Sequence, residues 1–313
     1  MNRTMASSKL NVLSLFSGCG GLDTGFHEHP DFVIKVAVDA MPQAVEIYNA
    51  NFQSKAQIMD VREFAKPDHT LDFVPDIIVG GPPCQDYSSA GKRQLGTRAN
   101  LTTVYGDIIV KYKPRYFVME NVPNIKSVGK DIFEQLLENL RNAGYGLTIR
   151  VIKMQEYGVP QSRKRLFVLG ERDREDDGFA TLLDLAKAPV RSMREYMQRT
   201  GLDLGLGGLE YVYRHPRSYM RRGVFSIDEL HPTVRGCRRN MPPAYKFHAG
   251  DKSLDRDMIA NPTDRSIAMV QTFDSDFELS TKRGNALVIG NAVPPRFSKI
   301  LAKIISTRHQ GKK

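Results

Sequence analysis

An α/β protein is predicted, with a largely parallel sheet covered by helices on both faces and a smaller domain inserted late in the chain. Short apolar runs rich in β-branched residues alternate with helical stretches through the first half. The first of these runs empties into a glycine-rich turn. From about Glu171 to Asn261 the rhythm lapses, and it returns near the end.

Taken in order, Asn11 to Phe16 reads as a buried strand, and Val33 to Val38 is a second apolar run that ends at Asp39. Pro42 suits the first turn of a helix, ahead of Ala44, Val45, Ile47 and Tyr48. Asp76–Val79 and Tyr116–Met119 are two more strands. Between residues 131 and 143, Ile132, Phe133, Leu136, Leu137 and Leu140 fall on one helical face, and Gly144 closes the helix. Leu166–Leu169 is another buried strand. The following ninety or so residues are richer in Gly, Pro and Arg; Ala286–Ile289 and a helical tail from Phe297 to Ser306 then restore the pattern. The expected organisation is a large domain over 1–171, an insertion over 172–261 and a return over 262–313.

A chain of 313 residues can hold one large core and a smaller second domain. It carries 45 Lys and Arg against 35 Asp and Glu, and a net charge of +10 suggests a polyanionic partner without naming one. No run approaches the eighteen or so apolar residues of a membrane span, and Met1 to Lys9 lack the apolar segment of a secretion signal. Three cysteines, Cys19, Cys84 and Cys237, cannot all pair and show no Cys-x-x-Cys spacing. A reduced cytoplasmic protein without a structural metal site is expected.

Two segments carry chemistry. Glycines in Phe16-Ser17-Gly18-Cys19-Gly20-Gly21 let backbone approach a ligand closely. Asp39, about twenty residues on, could accept hydrogen bonds from ribose hydroxyls, and Asp60 could meet an adenine amino group. The Gly-x-Gly-x-x-Gly fingerprint is absent, which argues against NAD. The second segment is Gly80-Gly81-Pro82-Pro83-Cys84-Gln85-Asp86-Tyr87-Ser88, where a thiol follows a strand and two prolines. A thiolate there can attack electron-poor carbon; the alternative is a small buried hydrophobe.

In this order and spacing the chain resembles the DNA (cytosine-5)-methyltransferase family, bacterial type. Phe16–Gly21 is similar to the family's S-adenosylmethionine loop, and Gly81-Pro82-Pro83-Cys84-Gln85 to its Pro-Cys motif. Glu120-Asn121-Val122 resembles the Glu-Asn-Val element, Gln161-Ser162-Arg163-Lys164-Arg165 the Gln-x-Arg-x-Arg element, and Gly290-Asn291-Ala292-Val293-Pro294-Pro295 the C-terminal cofactor-closing motif. The resemblance covers about residues 11–171 and 262–306. It implies a Rossmann-like methyltransferase sheet and a target-recognition domain in the insertion. It assigns Cys84 as the nucleophile on cytosine C6 and Glu120 as the acid at N3. Arg163 and Arg165 would hold the base O2 and a neighbouring phosphate. Cofactor contacts would come from Phe16, Ser17, Gly18, Gly20, Gly21, Asp39, Asp60, Val61, Pro83, Leu101, Asn291 and Val293.

The target base must leave the duplex to be reached. By resemblance a closing loop would begin at Gln85 and include Ser88, Lys92 and Arg93. The insertion concentrates arginines and tyrosines over residues 214–239. Arg221, Arg222, Arg235, Arg238 and Arg239 are expected to meet phosphate or guanine edges, with Thr233 beside them. Double-stranded DNA is the expected partner, with a cognate restriction endonuclease acting separately, and the protein is expected to be a monomer associated with the nucleoid. Ser14 departs from the family, many members of which carry Asp there. A tRNA cytosine-5 methyltransferase on the same scaffold is the alternative enzyme, and a non-catalytic DNA-binding regulator the alternative class.

Overall fold

The structure is a computed structural model and describes residues 9–83, 100–218 and 220–311. The chain divides into two compact units, Met1–Ile152 with Lys164–Ala186 and Ser298–Lys313, and Lys153–Arg163 with Lys187–Phe297.

The first unit is built on strands β1 (Leu10–Leu15), β2 (Phe32–Asp39), β3 (Ala56–Ile58), β4 (Ile77–Gly80), β5 (Tyr116–Asn121) and β6 (Tyr145–Lys153). The short β7 (Gln161–Ser162) belongs to the second unit, and β8 (Lys164–Arg172) returns to the first. The sheet has seven strands in the order β3-β2-β1-β4-β5-β8-β6. β3, β2, β1, β4 and β5 pair in parallel, whereas β8 lies antiparallel to β5. The chain order reverses between β1 and β4, so their carboxyl ends open a crevice of the kind that receives ligands in α/β sheets.

Helices α1 (Asp23–Glu28), α2 (Pro42–Asn51), α3 (Arg62–Ala65), α4 (Asn100–Tyr112), α5 (Ile125–Val128), α6 (Lys130–Asn142) and α7 (Ala180–Leu185) belong to this unit. Val12, Leu13, Leu15, Ile77, Ile78 and Val79 are fully buried, which explains why β1 and β4 read as continuous apolar runs. The apolar face predicted over 131–143 forms as α6, with Phe133, Leu136, Leu137 and Leu140 buried. Gly106 lets α4 and α6 approach, since a Cβ there would lie 2.4 Å from Leu136.

The second unit contains α8 (Met193–Thr200), β9 (Tyr211–Tyr213), β10 (Val224–Ser226), β11 (His231–Pro232), β12 (Ile259–Ala260), α9 (Asp264–Val270) and α10 (Asn285–Asn291). β9 pairs antiparallel with β10 and parallel with β12, and β11 pairs in parallel with β7. Tyr213, Val224, Tyr245 and Ile259 form its small core. Helix α11 (Pro295–Gln310) contains the boundary at Phe297/Ser298.

Three local expectations differ from the structure. Ala286–Ile289 is helical, as part of α10, because an apolar run this short has no periodicity to separate strand from helix. β3 and β6 had no sequence signal strong enough to single them out. The third is the bounds of the insertion: residues 172–186 group with the first unit, residues 262–297 group with the second, and the return to the first comes at Ser298. Two buried side chains explain the grouping. Gln271 donates to the carbonyls of Ile289 and Ala292, and Gln161 donates to Gln271 while accepting from Val234 N. Among the described residues no helix is long and apolar enough to cross a membrane.

Candidate active site

The turn after β1 is held by its neighbour strand. Ser17 N donates to the Val38 carbonyl at 2.9 Å, and Gly18 N to Asp39 Oδ2 at 2.8 Å. Met41 N donates to the other Asp39 oxygen at 2.8 Å, so one carboxylate ties the turn to the start of α2. Burial pushes the Asp39 pKa up, opposed by the backbone N–H groups of Met41, Gly18 and Ala40. Gly20 requires its glycine twice, since φ is +87° and the Phe52 ring lies 2.2 Å from where a Cβ would stand. Phe16 also adopts a positive φ, +54°, which is costly for an aromatic residue. Gly21 is buried, as is Ser17, whose Oγ has no hydrogen-bond partner among the described residues. Cys19 is buried and its thiol is pushed up to about 12, chiefly by burial. That makes it inert as a nucleophile at neutral pH.

Asp60 is exposed, and its carboxylate accepts from Arg62 N at 2.9 Å and Arg62 Nη1 at 2.8 Å. Val61 is buried in the main core, and Leu101 packs against that core from the start of α4.

At the ends of β4 and β5 the structure brings the motif residues together. Asn121 Nδ2 donates to the Pro82 carbonyl at 3.3 Å, and Asn121 Oδ1 accepts from Val122 N at 2.8 Å. This side chain thus fixes the diproline segment against β5. Glu120 is 8% exposed and pairs through Oε1 with Arg165 Nε at 2.8 Å, from the facing antiparallel strand β8. Its Oε2 lies toward Gly81, where an added Cβ would sit 3.1 Å away. Pro83 is half-buried at the end of this described stretch. Cys84, Gln85, Ser88, Lys92 and Arg93 lie outside the described residues.

Arg163 differs from the role expected of it. The side chain is 0% exposed, and its guanidinium donates to the carbonyls of Val234, Gly290 and Ala292 at 3.2, 3.0 and 3.0 Å. These three internal carbonyls make the side chain a brace within the second unit. Asn291 is exposed at the end of α10, and Val293 is buried. Gly290 is packed so closely on the Arg235 backbone that a Cβ would lie 2.3 Å from its carbonyl carbon.

The arginines of the second unit sort into two kinds. Arg222 makes a two-pronged pair with Glu229, at 3.0 and 2.6 Å, and lies over the Phe225 ring. Arg238 pairs with Asp264 at 2.8 Å, and Arg235 donates to the His215 carbonyl. Arg217, Arg221 and Arg239 are exposed, and none forms an ion pair with a carboxylate among the described residues. Thr233 donates to the Ser162 carbonyl, and its own carbonyl accepts from Arg214. Arg214 is lowered to about 10 by burial first and then by Arg235 and Arg217, so like charges crowd here. The His215 pKa falls for the same reasons, burial and then Arg239, Arg235 and Arg214. Reading motifs alone did not single out Asn121 or Gln161 as fixing residues. The signal was present for Asn121: an amide immediately after a strand-end acid.

A doubly wound sheet with a glycine turn after its first strand and an acid closing the second is a Rossmann-like nucleoside-cofactor architecture. Comparison with known proteins specifies it further. Residues 10–307 match the family described as C-5 cytosine-specific DNA methylase. The Type II methyltransferase M.HindV of Haemophilus influenzae is 39% identical over 95% of this chain and 96% of its own. M.HgiDI of Herpetosiphon aurantiacus, also a Type II methyltransferase, is 38% identical over 94% and 93%. The solved S. pombe Dnmt2 methyltransferase shares the fold, with a TM-score of 0.66 at 18% identity over 96% of this chain and 99% of that one. The Entamoeba histolytica methyltransferase EhMeth does so with a TM-score of 0.64 at 17% identity, over 98% and 100%. The chain belongs to the C-5 cytosine-specific DNA methylase family and is a DNA cytosine-5 methyltransferase.

Proposed function

We propose that this enzyme methylates C5 of a cytosine flipped out of a specific duplex sequence, through a covalent bond from Cys84 to C6. The observation that carries the proposal is the Glu120–Arg165 pair at 2.8 Å, set beside Gly81 at the root of the Pro-Pro-Cys segment. Attack of the Cys84 thiolate on C6 makes C5 enamine-like and builds negative charge at N3. With its proton on Oε2 and Oε1 facing Arg165, Glu120 donates to N3 as charge develops there and takes that proton back when Cys84 leaves. Arg165 holds Oε1 and thereby orients the other oxygen, and its guanidinium supplies a cation where charge develops. Loss of the C5 proton to a base and expulsion of Cys84 restore aromaticity.

The turn after β1 fits S-adenosylmethionine. Its glycines bring backbone close, Asp39 offers a carboxylate at the end of β2, and the buried Ser17 Oγ lacks a partner among the described residues. Phe16, Ser17, Gly18, Gly20, Gly21 and Asp39 would hold the cofactor, with Val61, Pro83 and Leu101 as apolar walls. Asp60 would reach the adenine amino group once its carboxylate turns from Arg62. Asn291 and Val293 are retained from the family pattern. When bound, the cofactor supplies the methyl group.

We assign the second unit, which holds residues 187–261 of the expected recognition segment, to reading DNA. Arg217, Arg221 and Arg239, exposed and without a carboxylate partner among the described residues, would meet phosphate or guanine edges, joined by Arg235 beside Thr233. Arg222 and Arg238 shape the surface through their carboxylate partners. The closing loop would begin at Gln85 and use Ser88, Lys92 and Arg93.

Duplex DNA carrying 5-fluorocytosine tests the mechanism, because fluorine at C5 blocks release of the enzyme. Wild type should form a covalent adduct on denaturing gels in the presence of S-adenosylmethionine. Cys84→Ser should bind the duplex without an adduct, and Glu120→Gln should slow methylation by about 100-fold or more. Normal turnover by Cys84→Ser would overturn the nucleophile assignment.

A further inference from the structure

The buried carboxylate of Asp23 takes no part in the chemistry above. It stands at the first residue of α1, two residues after the glycine turn, and is 0% exposed. Ser14 Oγ, from β1, donates to Asp23 Oδ1 at 2.7 Å. Tyr48 Oη, from α2, donates to Asp23 Oδ2 at 2.9 Å. No cation pairs with it among the described residues.

The arrangement continues beyond the acid. The Tyr48 ring stacks on Phe52, with centroids 4.4 Å apart and planes 26° from parallel. Phe52 in turn fills the space against Gly20, where a Cβ would come within 2.2 Å of the ring. Gly20 is tied to the rest of the turn, its N–H donating to the Ser17 carbonyl at 2.9 Å and its carbonyl accepting from Thr24 Oγ1 at 2.9 Å. A contiguous path therefore runs from the Asp23 carboxylate through Tyr48 and Phe52 to the backbone of the turn.

We propose that Asp23 is a positioning residue for the cofactor: accepting from both Ser14 and Tyr48, it locks the Tyr48–Phe52 stack that sets Gly20 and the glycine turn. The inference rests on the reading that S-adenosylmethionine seats on that turn. An ionised carboxylate has acceptors for both donors and no hydrogen of its own. Once protonated, it brings a third hydrogen into a site already holding two, and one donor must turn away. Burial pushes the Asp23 pKa up to about 6, the hydrogen bonds from Ser14 and Tyr48 pull it down, and the Asp39 charge raises it. The groups facing it are Ser14 on β1, Tyr48 on α2, Asp39 at the end of β2 and the neutral Cys19 thiol in the turn. From α11, Ser298 meets Gly25, and Lys299 is paired with Glu28 at 2.9 Å.

The test is calorimetric titration of S-adenosylmethionine into wild type, Tyr48→Phe and Asp23→Asn between pH 5 and 8, with steady-state methylation of duplex DNA alongside. Tyr48→Phe keeps the stack and removes only the donor. It should weaken cofactor binding about 5- to 20-fold and raise KM for the cofactor, with kcat at saturation retained. Wild-type affinity should fall as pH drops through about 6. Asp23→Asn, neutral throughout, should bind weakly with that step removed. If Asp23→Asn does not fold, as judged by circular dichroism, Tyr48→Phe decides. Wild-type affinity and pH profile in the folded variants overturn the positioning role and leave the cofactor reading standing. Absence of S-adenosylmethionine binding by wild type overturns both.

Discussion

His231 in β11 is 7% exposed, with Nδ1 near its neighbour's carbonyl, and burial depresses its pKa to about 4. The unfolded chain holds the imidazole proton below about 6.5, and the folded chain refuses it until about 4. The unfolded state therefore binds more protons across that window, so folding stability falls as pH drops through it. At about 1.4 kcal/mol per unit, His231 alone would remove on the order of 3 kcal/mol. Asp23 acts in the opposite sense: its folded pKa of about 6 lies above the ordinary 3.8, so acidification stabilises the fold through that group. Urea unfolding of wild type and His231→Gln between pH 4 and 7 should show a flatter acid limb for the variant. Equal slopes would remove His231 from the account.

At the scale of elements, the turn between β1 and α1 separates two costs that glycine avoids. Gly18 has φ +55° and open space where a Cβ would go, whereas Gly20 has φ +87° and the Phe52 ring in that space. Gly18→Ala should cost about 1 kcal/mol, the left-handed backbone penalty. Gly20→Ala adds displacement of a buried aromatic ring and should cost about 3 kcal/mol in chemical denaturation. Matching losses would mean Phe52 yields without cost. The same turn shows which part of the site was readable along the chain. Glycine spacing and Asp39 were evident as letters, but their joining through Gly18 N and Met41 N needed β1 and β2 to lie side by side. Conversely, Ala286–Ile289 looked strand-like because four apolar residues fit either period, and tertiary packing made them helix α10.

For the whole molecule, the net charge of +10 matters by where it is left uncompensated. Carboxylates neutralise Arg222 and Arg238 internally, while Arg217, Arg221 and Arg239 remain exposed. Replacing those three with Ala should weaken DNA binding and reduce the slope of log affinity against log salt by about 2 to 3, near 0.9 for each phosphate no longer neutralised. Arg222→Ala should instead lower thermal stability and leave that slope within about 0.5 of wild type. A salt titration from roughly 50 to 200 mM separates the two groups. An unchanged slope in the triple variant would place the DNA surface elsewhere.

Local chemistry written along the chain was sufficient for the α/β class, the strands that carry the glycine turn, Pro83 and Glu120, and the kinship of the motifs. These depend on short-range periodicity and on residue types whose reactivity does not change with position. Partnership was decided only by the fold. Arg163 and Arg165 are two residues apart with the same side chain, yet one is sealed against three carbonyls and the other meets Glu120. The carbonyls that hold Arg163 stand 71 to 129 residues further along the chain and arrive only through tertiary packing, so no reading of the motif could have told the two arginines apart.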